Sequence, residues 1–149
     1  MLKLITILAI AVTSLSLDAQ STIPDGETAD PIERMPTFIS DCPEDKDHKA
    51  CSDRAMLEFV YSNIGYPAKA VKRGVEGMAV VTFVIERDGT VSNIKILRDP
   101  GAGTGKELER IVNAMNDNGP SWRPGIQGGE LVRVQFNLPV KFSLGEKGN

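Results

Sequence analysis

The sequence has little of what side-chain catalysis needs. It holds a single histidine, His48, in a polar loop, and only two cysteines, Cys42 and Cys51. No serine stands in a nucleophile-elbow pattern. The neighbouring carboxylates Glu107 and Glu109 fall on a helix surface, where solvated charge is the default. Gly101-Ala102-Gly103-Thr104-Gly105-Lys106 has the look of a phosphate loop but fails as one. Pro100 stands where the first glycine belongs, and Glu107 stands where Ser or Thr would hold magnesium. Basic charge is also short. The net charge is -3, which removes the cationic footprint that nucleic-acid binding requires. No internal repeat is present. After the first residues, no apolar run is long enough to span a bilayer. These absences argue against an enzyme, against a cofactor and against a nucleic-acid partner.

What is present begins at the N-terminus. Lys3 precedes the apolar run Leu4–Val12, which fades through Thr13 and Ser14 to Asp18-Ala19-Gln20. That is the layout of a secretory signal peptide, residues 1–20. The rival reading, a retained membrane anchor, wants about 20 apolar residues. In an exported chain, Cys42 and Cys51 predict a disulfide. A zinc site using His48 lacks the usual paired spacing of ligands. Residues 21–52 read as a linker carrying this disulfide loop, with Pro24, Pro31 and Pro36 keeping Ser21–Asp41 extended.

One domain is expected over residues 53–145, followed by a tail, 146–149. A helix starting at Ser52 or Asp53 would bury Met56, Phe59, Val60 and Ile64 and stop at Gly65. A short helical turn, Pro67–Arg73, ends at Gly74. Met78–Ile85 is apolar on both faces, so it predicts a central strand. Asp88-Gly89 turns it into a second strand, Val91–Arg98. Thr104 and Glu107 suggest a capping box opening a helix with Leu108, Ile111, Val112 and Met115 on one face. The last strand, Val132–Leu144, alternates strictly, with even residues apolar. A right-handed crossover then gives an α+β fold: a three-stranded antiparallel sheet, order 2-1-3, with helices on one face. The last strand lies at the edge, where Pro139 is tolerated.

Four motifs in order carry a resemblance over about residues 53–144. Tyr66-Pro67-Ala68-Lys69-Ala70 with Gly74-Val75-Glu76-Gly77 is similar to the signature of TonB C-terminal domains. Val81–Ile85 with Asp88–Asn93 resembles the family's strand–turn–strand unit. Trp122-Arg123-Pro124-Gly125 resembles its Trp-x-Pro-Gly turn. Leu138-Pro139-Val140-Lys141-Phe142 is similar to the closing strand of TonB-like proteins common in Bacteroidetes. The resemblance implies a periplasmic binding module for outer-membrane transporters. The transporter's TonB box would add as a strand to the last-strand edge, contributing to energy-coupled transport. Arg133, Gln135 and Asn137 would lie on that edge, with Tyr66, Pro67 and Lys69 bordering it. Tyr66 and Trp122 serve equally well as packing residues. An inner-membrane motor would be a further partner if the first segment is retained. The linker is short for that role: some 30 residues reach roughly 100 Å only when fully extended. A soluble periplasmic interaction module with this fold and no energy-transducing role is the other reading.

Overall fold

The computed structural model describes residues 31–145. The expected signal peptide, the first part of the linker and the tail 146–149 lie outside them. Gly77–Ile85 forms the central strand, β3, flanked by β4 (Val91–Arg98) and β8 (Val134–Phe142), both antiparallel to it. β3 is rich in β-branched residues, which suit a pleated, crowded position. Ala79, Val81, Phe83 and Ile85 are wholly buried on its core side. The β3–β4 turn is set by Asp88, whose Oδ1 accepts the Thr90 N–H (3.0 Å) and hydroxyl (2.6 Å). Gly89 follows at φ +82°, and a Cβ there would lie 2.1 Å from the Trp122 carbonyl oxygen, so only glycine fits.

Helix α3 (Thr104–Ala114) crosses from β4 toward β8, laying Leu108, Ile111 and Val112 on the sheet. The expected capping box does not form. Asp99 Oδ1 instead accepts the N–H groups of Gly101 (2.7 Å) and Gly105 (3.1 Å) and the Thr104 hydroxyl (2.9 Å). Glu107 faces away, bonded to Arg110 and to the Gly65 N–H (2.7 Å). The donors a capping box would use are taken by backbone carbonyls: the Thr104 N–H bonds to Gly101 (3.2 Å) and the Glu107 N–H to Gly103 (3.0 Å).

Helix α1 (His48–Asn63) begins a turn earlier than expected. Ser52 is not its cap. It is wholly buried, and its hydroxyl donates to the Phe38 carbonyl (2.9 Å). Met56 and Val60 reach the core, with Phe59 and Ile64 partly buried against it. The expected disulfide is present, joining Cys42 to Cys51 with Cα atoms 5.9 Å apart. It ties the incoming loop to the first turns of α1. Helix α2 (Ala68–Arg73) starts after Pro67 and ends at Gly74, φ +62°.

Two parts of the chain depart from expectation. The supposed linker holds β1 (Ile32–Arg34) and β2 (Thr37–Phe38). β2 pairs with β5 (Trp122–Arg123), setting Phe38 opposite Trp122. Phe38 is buried edge-on to Trp122 at 5.4 Å. Strands this short give no periodicity, and the surrounding prolines and carboxylates hide the one aromatic that matters. The alternating run Val132–Leu144 is also broken. Glu130–Val132 is a separate strand, β7, paired to β6 (Gly125–Gln127), which pairs in turn with β1. Alternation shows which face is buried but not which strand is the partner.

Candidate partner-binding edge

β8 pairs with β3 over nine consecutive residues, from Gly77↔Phe142 to Ile85↔Val134, without a register shift. Among the described residues no strand pairs with its other side. The Thr82 hydroxyl donates to the Phe136 carbonyl (3.2 Å), so that carbonyl points into the sheet. N–H and C=O of one residue point the same way and alternate along a strand. Even residues of β8 therefore bond to β3, while Gln135, Asn137 and Lys141 turn theirs to the open edge. Pro139 falls in the outward set, where its missing N–H breaks no bond of the ladder. The side chains of Gln135 and Asn137 are exposed on the wet face, opposite the helices.

The other edge of the same sheet is blunted. Ser92 stands opposite Val84 and Lys95 opposite Thr82, so Asn93 and Ile94 together face Phe83 alone. Asn93 takes φ +48° in that bulge. A second register shift lies between Val80 and Val81. Bulges of this kind spoil an edge for pairing. Only β8 offers a regular one.

The remaining sequence-predicted residues do not gather in one cluster: Arg133 stands at the start of β8, Tyr66 beside its last residue, and Pro67 and Lys69 lie at α2. Arg133 precedes β8 and grips Glu86 with two bonds, 2.7 and 2.9 Å. The Arg133 guanidinium, with the Ser92 hydroxyl, lowers the Glu86 carboxyl to about 2. Arg133 thus pins the end of β3 to the start of β8. At the opposite end, about 30 Å away at the rise of a nine-residue strand, Tyr66 stands edge-on to Phe142 at 5.5 Å. Its hydroxyl donates to the Val75 carbonyl (2.5 Å), and burial raises its pKa, helped by the Glu76 charge. Pro67 caps α2, and Lys69 is exposed on it. Sequence reasoning missed Tyr61 and Lys141, which flank this same end of β8. The available signal was Leu57 and Tyr61, an apolar pair one turn apart on α1 but off its buried stripe.

The sequence profile of the Gram-negative bacterial TonB protein C-terminal domain matches residues 62–144, more than half the chain. The chain belongs to that family. Among solved structures, the Helicobacter pylori TonB C-terminal domain is 25% identical, with 62% of this chain and 79% of that one covered and a TM-score of 0.48. The Pseudomonas aeruginosa TonB C-terminal domain is 26% identical, covering 57% and 82%, with a TM-score of 0.44. No curated protein matches the chain. TonB C-terminal domains are interaction domains, not catalysts, which accords with a sequence poor in catalytic groups. No group of three His, Cys, Asp or Glu side chains among the described residues could hold a metal. No described helix is long and apolar enough to cross a membrane. The TonB-type match begins inside α1, leaving β1, β2 and the disulfide on its N-terminal side.

Proposed function

We propose that this chain works in the periplasm, gripping the TonB box of outer-membrane transporters by strand addition to β8 and so contributing to energy-coupled transport. The observation that carries the reading is the contrast between the sheet's two edges: β8 is regular over nine pairs, whereas β4 is bulged twice. TonB C-terminal domains engage outer-membrane transporters, and an added strand draws its affinity mostly from main-chain hydrogen bonds. The groups that would make those bonds are the outward N–H and C=O of Gln135, Asn137 and Lys141. Tyr66, Pro67 and Lys69 would border the far end of the added strand, and Arg133 its near end.

The test uses proline. Gln135→Pro removes an outward N–H and leaves the bonds to β3 in place. It should weaken binding of a TonB-box peptide by roughly the net worth of one hydrogen bond, about 1 kcal/mol, while Gln135→Ala leaves affinity near the parent's. Circular dichroism checks that both variants fold, and peptide titration followed by NMR reads the binding. A peptide that binds without shifting the amide signals of β8 would refute the edge.

A further inference from the structure

The C-terminal end of β8 runs into a cleft of about 230 Å³ lined by Tyr61, Ile64, Tyr66, Lys141, Phe142 and Ser143. Its walls are largely apolar. Tyr66 offers its ring and not its phenol, because the hydroxyl is occupied by the Val75 carbonyl. Tyr61 is 53% exposed and Leu57, one turn before it, 37% exposed. α1 serves the core through Met56 and Val60, and this outer apolar pair lies off that buried stripe. Lys141 lies on the rim. Among the described residues its ammonium has neither an ion pair nor a hydrogen bond. The nearby carboxylate, Glu76, is committed instead to the Leu144 N–H (2.5 Å) and the Ser143 hydroxyl (3.5 Å). Those two bonds hold the chain beyond β8 in place and keep the cleft preformed.

Lys141 belongs both to the open edge and to the cleft. A strand laid along Gln135–Lys141 therefore carries its next residues directly over Tyr61 and Phe142. We propose that this cleft selects the partner. It takes one aromatic or branched aliphatic side chain from the extended peptide paired to β8, next to an acidic residue that meets Lys141. This rests on the edge-pairing reading and adds a sequence preference to it. Main-chain bonds alone distinguish sequences poorly, so discrimination has to come from a pocket such as this one.

The test uses short synthetic peptides of alternating Val and Thr, with Phe-Asp placed at one end or at the other, and matched peptides in which Ala or Asn replaces each residue. For one placement, Phe should bind roughly tenfold more tightly than Ala, the scale expected for burying an aromatic ring. Tyr61→Ala should abolish the preference for Phe, and Lys141→Glu the preference for Asp over Asn. Tyr61 is exposed, and an NMR spectrum verifies the fold of each variant. Equal binding of Phe and Ala peptides, with the Gln135 and Asn137 amides still shifting, would overturn the cleft and leave edge pairing intact. A Phe preference that survives Tyr61→Ala would likewise overturn it. No shift along β8 with any peptide would remove the edge-pairing reading as well.

Discussion

Phe136 and Gln135 are neighbours in β8 with opposite surroundings. The Phe136 ring lies 5.6 Å from that of Phe83 and 5.3 Å from that of Trp122, whereas the Gln135 side chain is in water. Phe136→Asp loses the ring packing and puts a charge against aromatic faces, at about 3–5 kcal/mol, a large part of a small domain's stability. Gln135→Asp should stay within about 0.5 kcal/mol of the parent. Urea unfolding measures both, and equal midpoints would show the face to be wrongly assigned. Glu86 supplies a pH prediction. Its carboxyl is lowered from 4.5 to about 2 by Arg133 and Ser92. A depressed folded-state pKa means that the unfolded chain binds the proton first. The stabilisation is therefore full above pH 4.5 and drains away as pH falls toward 2. Melting temperatures of the parent and Glu86→Gln should converge through that window; a constant gap would exclude the pair as the cause.

At the scale of elements, the start of α3 shows how a local rule yields to its neighbours. Asp99 supplies the cap, so Asp99→Ala should cost about 1–2 kcal/mol, the usual worth of an N-cap side chain. Unchanged unfolding would return the role to Thr104 and Glu107. The sequence carried the pattern Thr-x-x-Glu, but it could not show that Asp99, the residue after β4, is aimed at the Gly105 N–H and the Thr104 hydroxyl. The sheet was more legible. β3 is apolar on both faces, the Asp88-Gly89 turn fixes its pairing with β4, and handedness places β8 on the far side. Pro139 marked β8 as an edge for the same reason that it now sits among the outward-facing residues. The small sheet β1-β6-β7 was not legible, because its strands are three residues each and its register depends on contacts distant in sequence. Of the candidate site, the exposure of Gln135 and Asn137 followed from alternation, whereas their place on a binding edge rested on the expected strand order and the family resemblance. The Arg133–Glu86 pair and the Tyr61–Lys141 cleft needed the third dimension.

Across the whole molecule, the family-matched segment and the folded core do not have the same extent. The match starts at residue 62, yet Phe38, Met56 and Val60 are buried in one cluster with Trp122, Leu108 and Val140. Phe38 touches Phe59 and Trp122, Ser52 is bonded to the Phe38 carbonyl, and the Ile39 N–H donates to the Ser121 carbonyl (2.8 Å). The disulfide holds this N-terminal layer down from the other side. Closing a loop that short stabilises by about 2–3 kcal/mol on the chain-entropy model. Burying Phe38, Met56 and Val60 contributes about 1.5–3 kcal/mol for each side chain. Together these terms rival the total stability of an ordinary small domain. A fragment limited to residues 62–145 should therefore lose its cooperative thermal transition and its dispersed amide spectrum, whereas residues 31–145 retain both. Phe38→Ala in the full chain should move part of the way, lowering stability by about 3 kcal/mol. A sharp transition in the short fragment would show the layer to be an addition laid on a core that is complete without it. Loss of the transition would mean that the β8 edge is held in shape from outside the segment the family shares.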